Sequence, residues 1–181
     1  MESHDIDKVL PLLYNIPKIM EFHETERCRM IIAFAGHSLV ASGDRVKEMV
    51  KDQIRNYITG VKHVTCYLGG YGEFDRICAC ACRELKKEYN SMEVVYVTPY
   101  MNTSEQAKMK EMQQCGLVDT SIYPPIENVP LRFAILKRNE WMMTNADLIV
   151  AYVDHNYGGA YQSLRVATRK KKTIINICDF I

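Results

Sequence analysis

Glycines cluster at two places where an apolar segment is followed by a helix-like one. Gly69, Gly70 and Gly72 form the first cluster, and Gly158 and Gly159 form the second. Glycine lets backbone amides approach a ligand closely, and a turn that opens a helix presents free N–H groups to an anion. Both clusters are therefore candidate phosphate cradles, although either one alone could equally be a tight strand-to-helix turn.

Polar side chains near other turns could complete such a site. His37 and Ser38 follow Gly36 at the end of an apolar run. His37 could donate to a phosphate or a base, or it could cap the next helix. Arg138, beside Asn139, could clamp a phosphate with two hydrogen bonds, or it could form a surface ion pair.

Two carboxylates, Glu73 and Asp75, open the helix after the first glycine cluster. The helix dipole favours acidic side chains at this position whatever their function. If either carboxylate faces a ligand, it could act as a general acid or base, or bind a ribose hydroxyl. They are our candidate catalytic residues.

Cys78, Cys80 and Cys82 form a C-x-C-x-C pattern in the same predicted helix. The first and last share one helix face while the middle one points elsewhere, so they cannot share a tetrahedral zinc ion. We interpret them as small buried apolar residues. We predict no metal site and no cofactor.

Strand-like and helix-like segments alternate along the chain, which is typical of an α/β fold with a parallel sheet. Strands are predicted at 30–35, 63–68, 94–97, 118–122, 147–153 and 173–177, and helices at 44–59, 73–89, 104–114, 131–145 and 158–170. We expect a Rossmann-like open parallel sheet with helices on both faces. In such a sheet, ligands bind beyond the carboxyl ends of the strands, so the glycine turns and their polar neighbours should meet at one edge.

The first 28 residues stand outside this alternation. They are too apolar for a free tail, and Pro11 and Pro17 interrupt any long helix. We predict that residues 1–28 form an extension that packs on the domain of residues 29–181 or on a second subunit of a homo-oligomer.

Composition limits the possible partners. The chain has 181 residues, a formal net charge of +1 and seven cysteines. No apolar run approaches the ~20 residues that span a bilayer, and the odd cysteine count without an export signal favours the cytoplasm. The near-neutral charge and the lack of a basic stripe argue against a nucleic-acid partner.

The order of these motifs resembles the SLOG superfamily, named for the Smf/DprA and LOG proteins, and especially its small YpsA-like bacterial members. The matching motifs are Gly36-His37, the G-G-Y-G-E-F-D segment 69–75, Leu85-Lys86 with Tyr89, Arg138-Asn139, Ala146-Asp147 and Gly158-Gly159-Ala160. The match covers roughly residues 29–178. The resemblance implies a nucleotide or nucleotide-derived phosphate ligand contacted by Gly36, His37, Ser38, Gly69, Gly70, Gly72, Phe74, Arg138, Asn139, Tyr157, Gly158, Gly159 and Ala160.

The chain departs from the family pattern in three places. Ser38 stands where Arg is usual, Ala160 stands where Thr is usual, and the glutamate of LOG-type phosphoribohydrolases has no counterpart after Gly159. Two hypotheses therefore stay open. The first is a binding or sensor module for a nucleotide-derived molecule. The second is a hydrolase or transferase acting on a nucleotide N-glycosidic bond, in which the resemblance favours Asp75 over Glu73. A DprA-like role in DNA binding is a weaker third option, because the charge argues against it.

Overall fold

The computed structural model describes residues 28–181, in which six strands form one sheet. The strands are β1 (Arg29–Gly36), β2 (His63–Leu68), β3 (Met92–Val97), β4 (Thr120–Ile122), β5 (Leu148–Tyr152) and β6 (Thr173–Asn176). The helices are α1 (Gly43–Ile58), α2 (Glu73–Leu85), α3 (Thr103–Gln114), α4 (Ala134–Asn145) and α5 (Gly158–Arg169), with short 3₁₀ helices at Leu131–Phe133 and Ile177–Phe180. All strand pairs are parallel, so the predicted Rossmann-like α/β fold is confirmed.

The strand order β4-β3-β2-β1-β5-β6 reverses direction at β1. The chain builds outward from β1 through β2, β3 and β4, and then returns to place β5 on the other side of β1. Gly36 at the end of β1 pairs with Tyr152 at the end of β5. Neighbouring strands whose helices leave in opposite directions open a crevice at their carboxyl ends, and this crevice is the expected ligand position.

Alternation along β1 divides the core between the two faces of the sheet. Ile32 and Phe34 pack with α1 and α2, whereas Ala33 and Ala35 pack with α4 and α5. A strand that is buried on both faces must be apolar at every position, and this explains the continuous apolar run in the sequence. The carboxyl ends of the strands therefore lie between two layers of helices.

Two helices differ from their predicted bounds by three residues or more. The helix predicted to reach Tyr89 ends at Leu85, because the amides of Lys87 and Glu88 bond three residues back instead of four. The helix predicted from Leu131 begins with a 3₁₀ turn after Pro130 and becomes α-helical at Ala134. At both of these helix ends, hydrogen bonds span three residues instead of four, as is common at helix termini.

The predicted extension, residues 1–28, falls outside the described residues except for Cys28, so its packing and the homo-oligomer stay predictions. No helix within residues 28–181 is long and apolar enough to cross a membrane. Cys78 and Cys82 are fully buried on α2, and burial raises the pKa of the Cys78 thiol well above its ordinary value.

Candidate functional site

A cleft of about 530 Å³ opens where the strand order reverses, at the carboxyl ends of β1 and β5. This volume lies within the range of small-molecule sites. The cleft brings together most of the predicted site residues: Gly36, His37, Ser38, Gly69, Gly72, Asp75, Arg138, Asn139, Tyr157, Gly158, Gly159 and Ala160. The turns after β1, β2 and β5 therefore meet at one rim, as predicted from their positions after the strands.

Phe74 and Gly70 do not line this cleft, in contrast to the prediction from resemblance. Phe74 is 1% exposed and packs under Gly36, where an added Cβ would lie only 2.2 Å from its Cδ1 atom. Gly70 has a φ of 71°, and a Cβ there would lie 2.5 Å from the ring of Tyr96. Both residues pack beneath the rim of the cleft and help to set the backbone conformation there.

Glu73 is also absent from the cleft lining. Its carboxylate accepts a hydrogen bond of 3.1 Å from the amide of Val40, and its own amide donates to the carbonyl of Ser38. It therefore joins the start of α2 to the loop after β1. This structural use of the side chain explains its sequence position without a catalytic role.

Several cleft residues were missing from the sequence-based set: Leu39, Tyr71, Ile135, Met142, Asp154, His155 and Ser163. Asp154 and His155 follow β5 directly, so the rule that selected the other strand ends could have found them. Leu39 and Tyr71 lie in the turns after β1 and β2, which the same rule covers. Ile135, Met142 and Ser163 reach the cleft from helices, where sequence position gives no signal.

Arg138 on α4 is the most deeply buried charged residue of the cleft, at 1% exposure. Its Nη1 donates to the carbonyl oxygens of Gly69, at 2.7 Å, and Val97, at 2.5 Å. Its Nε is buried without a hydrogen-bond partner, and no carboxylate of residues 28–181 lies within ion-pair distance of it. The surface ion pair considered from the sequence is therefore wrong. A buried, incompletely paired cation is costly unless an anion accompanies it.

Asp75 lies near the same guanidinium. Its Oδ2 accepts a hydrogen bond of 2.9 Å from the amide of Tyr71. A Cβ at Gly69 would lie 3.0 Å from this oxygen and 3.2 Å from Nη1 of Arg138, so the glycine admits both side chains. Burial raises the pKa of Asp75 to about 6, although the Tyr71 amide and the Arg138 charge both oppose the shift.

The start of α5 presents an uncapped helix terminus to the cleft. Tyr157 precedes the helix and makes no side-chain capping bond, and Gly158 has a φ of 84°. An added Cβ at Gly158 or Gly159 would meet nothing within 4 Å. The first amides of a helix have no acceptor within it, so this open terminus offers donors and a partial positive charge to an anion.

His37, Asp154 and His155 form a polar corner of the cleft. The two imidazole rings stack at 3.5 Å between centroids, with planes 7° apart. Asp154 Oδ1 lies 2.5 Å from Nδ1 of His155 and 3.3 Å from Nε2 of His37. Burial and the neighbouring His155 lower the pKa of His37, which favours its neutral form. Imidazole and carboxylate groups at this spacing are potential metal ligands.

A hydrogen-bonded cluster on α3 holds the first glycine turn. The hydroxyls of Tyr71 and Tyr96 both donate to the carboxylate of Glu105. Lys108 Nζ donates to the carbonyl of Gly70 at 2.7 Å and lies 3.8 Å from the centroid of the Tyr71 ring. Burial raises the pKa of both phenols, and the Glu105 charge adds to this shift. The turn is therefore anchored to a neighbouring helix.

Comparison with known proteins yields matches in structure alone. No protein-family model and no curated protein matches the chain. DNA processing protein A (DprA) from Streptococcus pneumoniae superposes with a TM-score of 0.56 at 15% identity, over 80% of this chain and 49% of that one. DprA from Helicobacter pylori superposes with a TM-score of 0.52 at 16% identity, over 80% of this chain and 63% of that one.

These matches establish a shared fold. Both solved structures are DprA proteins, which belong to the SLOG superfamily that the motifs resemble. The chain spans less than two thirds of either one. The H. pylori protein binds single-stranded DNA. The expectation that a nucleic-acid partner can be set aside is therefore wrong, because a protein with this fold binds one. Net charge reports the whole surface, whereas a ligand contacts only a local part of it.

Proposed function

We propose that the cleft binds a nucleotide or nucleotide-derived molecule through its phosphate group. The observation that best supports this proposal is the environment of Arg138. Its guanidinium is buried on the cleft wall, and its Nε has no hydrogen-bond partner. A phosphate oxygen is a strong acceptor for such a group. Anion binding would offset the cost of burying the charge.

The start of α5 supplies the second half of the proposed phosphate site. Gly158 and Gly159 line the same cleft as Arg138 and leave open space beside their Cα atoms. The ligand phosphate is proposed to rest on these amides, which need no side chain to reach it. The sugar and base would extend toward the stacked rings of His37 and His155 and the tilted ring of Tyr157 beside them, where aromatic surface is available.

The N-glycosidic hydrolase hypothesis is not favoured. Glu73, one of its two candidate residues, is used in a loop contact outside the cleft lining. Asp75 accepts a backbone hydrogen bond. The solved structures that share the fold are DNA processing proteins, and none of the comparisons points to a hydrolase.

Single-stranded DNA is the second candidate ligand. It is favoured by the fold shared with the H. pylori protein, which binds single-stranded DNA. The same phosphate cradle would then hold one phosphodiester of a strand in place of a free nucleotide. We also propose membership of the SLOG superfamily from motifs and fold together, while the YpsA-like placement rests on the motifs alone.

The test measures ligand-induced thermal stabilisation of the purified full chain. The ligands are AMP, NAD, ADP-ribose, cyclic ADP-ribose and a short oligodeoxythymidylate. Ligand at 100 times its Kd adds roughly 2.7 kcal/mol, which raises the melting temperature of a chain of this size by several degrees. Stabilisation by a mononucleotide supports the first candidate, and stabilisation by the oligonucleotide alone supports the second.

Gly159→Ala and Gln162→Ala provide a matched pair on α5. Gly159 lines the cleft and a Cβ added there meets nothing within 4 Å, whereas Gln162 is exposed and lies outside the cleft lining. We expect Gly159→Ala to keep or slightly raise the basal melting temperature, because alanine favours helix, and to reduce the ligand-induced shift. Equal shifts in both variants, or no shift with any ligand, would rule out the proposed cradle.

A further inference from the structure

Three metal-binding side chains meet at one corner of the cleft, although the sequence predicted no metal site. His37 follows β1, and Asp154 and His155 follow β5, so the pairing of Gly36 with Tyr152 brings them together. One ligand atom from each lies within 4.8 Å of the other two. Across residues 28–181, no other group of His, Cys, Asp or Glu side chains is spaced in this way.

One of the two measured distances already suits a shared ion, and the other, a short hydrogen bond, would have to lengthen. Asp154 Oδ1 lies 2.5 Å from Nδ1 of His155 and 3.3 Å from Nε2 of His37. Ligand atoms around a tetrahedral zinc ion lie roughly 3.3 Å apart, because each zinc–nitrogen bond is about 2.0–2.1 Å long. The nitrogen lone pairs lie in the planes of the stacked rings, so binding requires the rings to fan apart. This movement would fall to His155 and Asp154, the more exposed side chains of the three.

A second observation points to a missing ligand at the same place. Nε2 of His37 is buried and has no hydrogen-bond partner, since the nearby Asp154 oxygen does not meet hydrogen-bond geometry. The His37 side chain is only 11% exposed, and its backbone amide is held by the carbonyl of Tyr152 at 3.1 Å. A buried polar nitrogen without a partner needs an explanation, and a coordinated ion supplies one.

We propose that His37, Asp154 and His155 bind a divalent transition-metal ion of the Zn²⁺ class. Two imidazoles and one carboxylate form a borderline-soft donor set that suits Zn²⁺ better than Mg²⁺ or Ca²⁺. Three protein ligands leave at least one coordination position open, as in zinc sites that bind a further molecule. All three residues line the cleft, so a base nitrogen or sugar hydroxyl of the proposed ligand could occupy that position; only this extension rests on the proposed function.

The experiment uses the metal alone, so its result is independent of any nucleotide. Zn²⁺ is titrated by calorimetry into the metal-stripped full chain, and Co²⁺ binding is followed by visible absorption. His37→Gln and His155→Gln each remove one proposed ligand, while His63→Gln changes an exposed histidine at the amino-terminal end of β2. We expect one ion per chain in the wild type and in His63→Gln. Loss of either ligand should weaken binding by at least the about 10–100-fold that losing a supporting partner costs.

Two further measurements make the outcome decisive. Asp154→Asn changes a mostly exposed side chain, so it tests the carboxylate even if a histidine variant fails to fold. The Co²⁺ spectrum distinguishes this site from the cysteines, because thiolate ligands add near-ultraviolet charge-transfer absorption that imidazole and carboxylate do not. No binding by the wild type, undiminished binding in the folded variants, or a thiolate signature that persists in them would overturn the proposal.

Discussion

At the residue scale, Arg138 combines two backbone contacts with a buried positive charge. Its Nη1 donates to the carbonyls of Gly69 and Val97, which lie at the carboxyl ends of the neighbouring strands β2 and β3. The same side chain therefore fixes the backbone of the rim and places positive charge on the cleft wall. Replacement by a shorter cation would separate these two roles, because lysine keeps the charge but loses the planar array of donors.

We expect Arg138→Lys to lower both ligand affinity and stability. One buried carbonyl would lose its donor, which costs about 1–3 kcal/mol of unfolding free energy. Affinity for the ligand identified in the melting panel should fall by an order of magnitude or more, on the basis of about 1.4 kcal/mol per tenfold. Urea unfolding and calorimetric titration measure the two effects. Arg165→Lys, on the exposed side of α5, is the control and should change neither.

Asp75 makes stability depend on pH in a defined direction. Its pKa is raised from 3.8 to about 6, so the folded state binds this proton more tightly than the unfolded state. Its contribution is therefore fully present below about pH 4 and is lost as the pH rises through 6. In Asp75→Asn this dependence is absent, while the amide oxygen still accepts from Tyr71.

The wild-type unfolding free energy should accordingly fall relative to that of Asp75→Asn by on the order of 1–3 kcal/mol between about pH 4 and pH 7. Urea unfolding of both proteins across this range measures the difference. A difference that stays constant with pH, or that grows in favour of the wild type as pH rises, would contradict the raised pKa.

At the scale of elements, the cleft depends on how closely β1 approaches α2. Gly36 lies against the Phe74 ring, and Phe74 in turn lies 5.7 Å from the ring of Tyr152 between centroids. The ends of β1 and β5 and the start of α2 therefore share one packing contact. A side chain at Gly36 would separate them, because Phe74 is fully buried and has no space to withdraw.

We expect Gly36→Ala to destabilise the fold by about 1–3 kcal/mol or more, as overpacking of a filled core does. Gly43→Ala is the matched control, since a Cβ there lies at an ordinary 3.4 Å from Ile77. Unfolding free energies of the two variants in urea provide the comparison. Similar values for both would mean that the contact with Phe74 relaxes without cost.

Helix α3 acts on the cleft through the tyrosine pair that binds Glu105. In Glu105→Gln the acceptor is neutral, so both phenol hydrogen bonds weaken. We expect a loss on the order of 1–2 kcal/mol in stability and faster exchange of the Tyr71 amide, which donates to Asp75. Glu111→Gln, an exposed change on the same helix, should leave both unchanged. Hydrogen exchange that is unaltered in Glu105→Gln would show that the turn holds without this anchor.

At the scale of the whole molecule, a net charge of +1 is compatible with the proposed local anion site. A cleft with one buried arginine and one helix terminus would engage one or two phosphates, unlike a long basic groove. If the oligonucleotide is the ligand, its affinity should therefore depend weakly on salt. We expect the logarithm of the association constant to fall by about 0.7–1.4 per tenfold rise in salt. Fluorescence polarisation of a labelled oligodeoxythymidylate measures this slope, and a slope several times steeper would indicate a larger basic surface.

Most of the fold could be predicted from the sequence, because strand and helix patterns are local. The continuous apolar run of β1 and the glycine turns before α2 and α5 are written in neighbouring residues, and parallel pairing then brings strand ends to one edge. The positions of Gly36 and Gly159 on the cleft follow from this rule, whereas the resemblance, and not the rule, favoured Asp75 over Glu73. The bounds of α2 did not follow, since the tightening after Leu85 depends on hydrogen bonds and not on residue type.

Only the tertiary structure decided the chemistry of the rim. Burial of Arg138 depends on how α4 packs against the ends of β2 and β3, so a sequence pattern cannot separate it from a surface arginine. The stacking of His37 on His155 depends on β1 lying beside β5, two strands that are distant in the chain. Local sequence determines which segments form helices, strands and turns. Burial of a charge and proximity of side chains depend instead on contacts between segments that are far apart in the chain, and a local pattern does not specify which segments meet.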